Sequence, residues 1–323
     1  STLFPYTTLF RSKMKINLII SIIILTSALL PPSVARSDYS IISTCTNCNN
    51  ASYSATLKYN GKENYYLNQT NPIVQELNFT YCFKAPHHLV VRITDAQKER
   101  WEVPHRPPFP HNDYSTPCLP LDEVQATVEV KESPFSFSVK RKSTNETIFE
   151  TSVGDLIYSD YYLQISTKLP SKNIYGLGER NYKFDLGEGG TFTIFNKDNP
   201  ASVENATSGH NTYGYHPVYL QREQSNLFSM ILLRSSNAMD VVIADQTLTY
   251  KVIGGILEFN MFLGDSNSHL SPAETVVKQY HNWLGKWILP PFWTFGHHQC
   301  KWGYENISVI ENVHENYRKN NLP

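Results

Sequence analysis

Apolar and polar residues alternate along most of the chain between about residue 50 and residue 263. Phe135-Ser-Phe-Ser-Val139 alternates strictly, and so does Tyr162-Leu-Gln-Ile-Ser-Thr167. A period of two places one set of side chains on each face of a strand. Further β-branched and aromatic runs cover Thr191 to Phe195, Leu227 to Leu233, Val241 to Ile243, Leu248 to Ile253 and Ile256 to Leu263. Turn-forming spacers separate them, such as Gly187-Glu-Gly-Gly190, Asn199-Pro200 and Gly254-Gly255. Long helical periodicity is absent there. The pattern predicts an all-β sandwich.

The period changes at Ser271. Ser271-Pro-Ala-Glu274 reads as a capping box with proline at the first helical position. Val276, Val277, Tyr280, Trp283 and Leu284 follow at helical spacing, and Gly285 is a stop. Pro290-Pro291 breaks the chain before a short expected strand, Phe292-Trp-Thr-Phe295. A second helix is expected from about Ser308, with Ile310, Val313 and Tyr317 on one face. A strand-helix unit cannot bury its own faces. Residues 290–323 therefore read as the cut-off start of a larger α/β domain.

The N-terminal part reads as a leader. Met14 and Lys15 precede an apolar run from Ile16 to Leu30, and Ser33-Val34-Ala35 supplies small residues for cleavage. The run is short for a membrane span, which needs roughly 20 residues. The expected organisation is upstream sequence at 1–13, a signal peptide at 14–35, a β-sandwich domain at 36–270, a linker helix at 271–289 and the first part of a larger α/β domain at 290–323.

That leader changes the meaning of the cysteines. Of five, Cys45, Cys48, Cys82 and Cys118 are read as disulfide material in any of three pairings, and Cys300 is left over. Cys45-Thr-Asn-Cys48 has no second such pair and no following histidine pair, so a zinc site is not expected. Sequons occur at Asn50, Asn68, Asn78, Asn145, Asn205 and Asn306, all glycosylation candidates. A secreted, lysosomal or vacuolar protein is expected, with no membrane span once the signal is removed. Charge adds an exclusion. Twenty-eight Lys and Arg face 29 Asp and Glu, so no basic excess exists to neutralise a nucleic acid. Phosphate-loop, dinucleotide, zincin and serine-hydrolase motifs are absent from the sequence.

Several segments together resemble glycoside hydrolase family 31, the α-glucosidase family. Arg100-Trp-Glu-Val-Pro104 resembles an RWEVP element, and Tyr175-Gly-Leu-Gly-Glu-Arg180 a YGLGER turn. Phe195-Asn-Lys-Asp198 resembles an FNxD loop. Asn211-Thr-Tyr-Gly214 with His216-Pro217 looks like an NLYGxHP segment. Ser236 to Val242, Gly254-Gly-Ile-Leu257 and Phe262-Leu-Gly264 are similar to further family elements. Pro290-Pro-Phe-Trp293 through Gly296-His-His-Gln-Cys-Lys-Trp-Gly-Tyr304 resembles the family's first barrel segment, with His297 in place of Phe and Lys301 in place of Arg.

The resemblance implies a galactose-mutarotase-like sandwich followed by a catalytic (β/α)8 barrel. It implies retaining hydrolysis of terminal α-linked glucose from oligosaccharides, without metal or cofactor. Such hydrolysis uses two carboxylic groups about 5 Å apart. Both are aspartates of the barrel in the family, and neither maps onto this chain. Glu63, Glu76, Asp95, Glu99, Asp122 and Glu123 are scattered and read as solvated strand edges and turns. Asp198 lies in a turn by its local sequence, and the resemblance makes it a substrate-binding acceptor for glucose hydroxyls. Tyr213 is the second substrate-binding candidate. His297 and His298 are adjacent on an expected strand and point to opposite faces, so they do not form one metal site. Cys300 is expected as a buried thiol on the first barrel strand. The alternative function is a noncatalytic β-sandwich module that binds carbohydrate or a partner protein.

Overall fold

The computed structural model describes residues 38–48, 51–61, 71–104, 116–198, 209–265, 269–285 and 288–322. The expected signal segment at 14–35 lies outside them, as do Asn50, Asn68 and Asn205. Two compact units divide the chain, Ser1–Leu284 and Gly285–Pro323.

Three antiparallel sheets build the first unit. The largest has eight strands in the order β1 (Tyr39–Cys48), β2 (Ala51–Tyr59), β3 (Glu76–Ala85), β4 (His88–Asp95), β16 (Leu257–Leu263), β13 (Phe228–Leu233), β12 (Val218–Arg222) and β10 (Ile174–Gly176). A five-stranded sheet has the order β11 (Gly190–Ile194), β14 (Met239–Ala244), β15 (Thr247–Val252), β9 (Leu163–Lys168) and β8 (Ile157–Tyr158). Strands β5 (Ala126–Lys131), β6 (Ser136–Arg141) and β7 (Thr147–Glu150) form the third. All three contribute to one continuous core that includes Phe79, Val91, Phe137, Phe149, Tyr250 and Phe259. The strand-like runs fall on β6, β9, β11, β13, β14, β15 and β16, and burial in β6, β14 and β15 alternates as a period of two requires. The strand pattern starts earlier than residue 50, because Tyr39–Cys48 pairs with β2.

Strand β16 is buried at every position. Its Leu257, Phe259, Met261 and Leu263 face the sandwich core. Its opposite face is covered by helix α1 (Pro272–Leu284), whose Val276 and Trp283 pack on Met230, Leu232 and Phe262. The expected capping box is present. The Ser271 amide donates to Glu274 Oε2 at 2.8 Å, and the Glu274 amide donates back to Ser271 Oγ at 3.3 Å. Gly285 ends the helix at φ 104°, a conformation that costs glycine little. The helix is thus a packed layer of the first unit rather than only a connection.

Ion pairs fasten the sheets. Arg141 follows Phe137 and Val139 on the inward face of β6, where a bare charge is not tolerated. Glu223 receives its Nε and Nη2 at 2.7 and 2.6 Å, and the carbonyls of Gly264 and Phe228 accept at 2.8 and 3.1 Å. Asp95 corrects the expectation of a solvated edge. It is buried, accepts from the amides of Gln97 and Lys98, and pairs with Arg100 at 3.0 Å. Arg100 also reaches Asp160 at 2.7 Å. The disulfide Cys82–Cys118 ties β3 to the segment ahead of β5, with Cα atoms 5.3 Å apart. Cys45 is disulfide-bonded as well.

His88 sits between sheet and helix. Its ring stacks on Phe262 at 4.4 Å and meets Trp283 edge-on at 5.9 Å, and Nε2 bonds Asn260 Oδ1 at 2.9 Å. Burial lowers its pKa to about 4. The folded value lies below the unfolded one of about 6.5, so the unfolded chain takes up a proton first as pH falls. Stability should therefore decline from pH 6.5 toward pH 4 and level off below, by roughly 3 kcal/mol for this group. Denaturant titrations across that window should be flatter for His88→Phe. An unchanged slope would remove His88 as the source.

The second unit holds one 3-10 turn, Phe292–Phe295, and helix α2 (Ile307–Lys319). The turn replaces the strand expected at those residues. A strand needs a neighbour for its backbone groups, and no described residue of this unit forms one. Asn306 caps α2, its Oδ1 accepting from the amides of Ser308 and Val309. Cys300 is a free, exposed thiol and not buried in a strand, because this small unit has no second layer to cover it. His297 Nε2 bonds Tyr317 Oη at 2.7 Å, while His298 Nε2 bonds the Thr294 carbonyl at 3.1 Å, so the two rings diverge.

Candidate functional site

Strand β11 buries Phe192 and Ile194 and then leaves the sheet as an exposed loop. Phe195-Asn-Lys-Asp198 forms that loop. A second segment, Asn211 to Gly214, runs beside it and is bonded to it. The Lys197 amide donates to the Thr212 carbonyl at 3.1 Å, and Asn196 Nδ2 to the Tyr213 carbonyl at 3.1 Å. The Phe195 amide donates to Asn211 Oδ1 at 2.8 Å. These bonds bring together the two residues singled out from the sequence. Tyr213 Oη donates to Asp198 Oδ1 at 2.9 Å.

Both side chains are presented outward. Tyr213 is 56% exposed and Phe195 61% exposed. The Asp198 carboxylate raises the Tyr213 phenol pKa by accepting its proton in a hydrogen bond. Tyr213 is thereby kept a donor. A carboxylate offers about four acceptor positions, of which Tyr213 occupies one. The arrangement suits neutral hydroxyl donors, which a carboxylate binds through charge-assisted bonds.

The YGLGER turn supplies the floor. Arg180 sends Nε to the Leu177 carbonyl at 2.6 Å, Nη1 to Gly209 at 2.6 Å and Nη2 to Thr193 at 2.8 Å. One guanidinium thus joins its own turn, the end of β11 and the start of the second segment. Asn211 is 5% exposed and donates to the carbonyls of Glu179 and Gly214 at 2.7 and 2.8 Å. Glu179, Arg180 and Asn211 were not candidates from the sequence. The available signal was their position inside the same short motifs as Asp198 and Tyr213.

Other candidates lie elsewhere. Asn78 is exposed on β3, and Asn145 is exposed at the β6–β7 turn. The Asn306 side chain is engaged in capping α2. Among the described residues, no group of three or more His, Cys, Asp or Glu could hold a metal ion. No described helix is long and apolar enough to cross a membrane.

Residues 78–239 match the glycosyl hydrolase 31 N-terminal galactose mutarotase-like domain, which spans the floor, both loops and half of the chain. The chain belongs to glycoside hydrolase family 31. Residues 287–323 match the TIM-barrel domain of the same family, placing the start of a barrel after the sandwich. The family 31 chain is 35% identical over 285 residues to the lysosomal acid alpha-glucosidase of Tetrahymena pyriformis, covering 88% of this chain and 30% of that protein. Alpha-xylosidase 1 of Arabidopsis thaliana is 36% identical over 254 residues, covering 73% of this chain and 26% of that protein. The glucosidase II alpha subunit has the same fold at a TM-score of 0.64 and 13% identity, covering 90% of this chain and 38% of that one. The family 31 chain therefore spans under a third of the length of these two curated relatives.

Proposed function

We propose that this chain is the N-terminal part of a retaining α-glucosidase and that Asp198 and Tyr213 bind the terminal sugar. The observation that carries the reading is the exposed, mutually bonded Asp198–Tyr213 pair on loops leaving the sandwich, ahead of a segment that matches the family barrel. Asp198 accepts sugar hydroxyls, and Tyr213 orients its carboxylate. Cleavage itself is the work of two barrel carboxylic groups. One attacks the anomeric carbon, while the other protonates the leaving oxygen and later deprotonates water. A lysosomal, vacuolar or secreted location accords with the Cys82–Cys118 disulfide and with the lysosomal Tetrahymena relative.

Asp198→Asn tests the assignment in an enzyme that carries the complete barrel. The substitution keeps size and turn propensity but removes the charge. It should lower kcat/KM by about 10- to 150-fold, the worth of one charge-assisted bond, with the thermal midpoint nearly unchanged. Aryl α-glucoside and aryl α-xyloside should be compared, because the Arabidopsis relative is named a xylosidase. An unchanged kcat/KM on both would take Asp198 out of the site.

A further inference from the structure

Tyr213 lies between residues that are all tied to one side chain and its backbone, those of Glu179. The Glu179 carbonyl accepts from the Thr212 amide at 2.9 Å and from Asn211 Nδ2 at 2.7 Å. Its own amide donates to the Gly214 carbonyl at 3.1 Å. Its carboxylate completes the set, Oε2 accepting from the Gly214 amide at 2.7 Å. The residues before and after Tyr213 are thus held from the same position.

Glu179 is exposed, and an exposed glutamate ordinarily spends its time solvated. Here its side chain lies against the Gly214 backbone. A Cβ added at Gly214 would sit 2.9 Å from Glu179 Cβ, so residue 214 has room only for glycine. The Gly214 amide also lowers the Glu179 carboxyl pKa, which means that the bond favours the ionised form.

We propose that Glu179 is a positioning residue for the sugar-binding loops: by bonding the Gly214 amide it sets the Tyr213 hydroxyl against Asp198. The proposal rests on the reading of Asp198 and Tyr213 as sugar contacts. Without the side-chain bond, the 211–214 segment keeps its contacts to the Phe195–Asp198 loop and the two bonds on the Gly214 carbonyl, but loses the one on the Gly214 amide, the peptide group that directly follows Tyr213. The hydroxyl then swings off Asp198, and the carboxylate loses its orientation.

The Tyr213 phenol reports the pairing directly, without any sugar or barrel. Its titration in the 323-residue chain can be followed by NMR with ring-labelled tyrosine and assigned with Tyr213→Phe. The charged groups near it are Asp198 and Glu179, with His216 beside Glu179. In the parent the phenol should titrate above the ordinary value of about 10. Asp198→Asn should bring it down, which calibrates the readout. Glu179→Asp keeps the charge but is one methylene too short for the Gly214 amide, and should also bring it down. Glu179→Gln keeps an oxygen at the same reach without the charge, and should fall by less than Glu179→Asp, the remaining fall being the lost charge, which also raises the phenol.

The reverse pattern, with Glu179→Gln lowered and Glu179→Asp unchanged, would mean that Glu179 acts only as a charge and would overturn the proposal. An unchanged phenol in both variants would overturn it too. Glu179→Ala replaces Glu179→Asp should the latter not fold. Failure of the sugar reading is separate: it shows as an unchanged kcat/KM for Asp198→Asn in the barrel-bearing enzyme, whatever the phenol does.

Discussion

Arg141→Met should cost about 3–5 kcal/mol of folding stability and lower the thermal midpoint by roughly 6–20 °C. The side chain of Arg141 is 4% exposed and that of Glu223 is fully buried. Removing the guanidinium leaves a carboxylate in the interior with no cation beside it, and the carbonyls of Gly264 and Phe228 lose a donor. Methionine refills most of the volume, so the loss is electrostatic rather than a cavity. The double variant Arg141→Met with Glu223→Leu should recover much of the stability, because replacing both members of a buried pair by apolar groups is often near neutral. Urea unfolding of the three proteins settles the matter. A single variant within about 1 kcal/mol of the parent would show that the pair is not a fastening of the sheets.

The 323-residue chain by itself should turn over no aryl α-glucoside above a mock preparation. Retaining hydrolysis asks one carboxyl to be ionised and attacking while another, about 5 Å away, carries a proton. Among the described residues, acidic side chains converge on arginines. Asp95 and Asp160 meet on Arg100, and Glu102 and Glu258 meet on Arg92. In both, the carboxylates are engaged by an arginine rather than presented to a substrate. The loss relative to an enzyme with the catalytic pair is many orders of magnitude. Turnover that survives purification and vanishes on Asp198→Asn would refute the division of labour proposed between sandwich and barrel.

Periodicity is a local property, and the sequence by itself determined what periodicity and short-range bonding govern. The strand-like runs became β6, β9, β11 and β13 to β16. Ser271 and Glu274 cap helix α1 through residues three apart. The short motifs marked the family, and they put Asp198 and Tyr213 forward as candidates. The tertiary structure decided whatever depends on residues far apart in the chain. Cys82 chose Cys118, 36 positions away, because pairing follows the approach of backbones and not spacing. Arg141 looked like any hairpin arginine until Glu223, 82 positions on, met it inside the sandwich. His88 is silenced by Phe262 and Trp283, which only the packing of α1 on the sheet brings to it. Phe292 to Phe295 had strand composition but became a 3-10 turn, since a strand exists only where another backbone lies beside it. Glu179 gained its bond to Gly214, 35 positions later, by the same rule: its chemistry was visible as a carboxylate, but the group it holds was chosen by the fold.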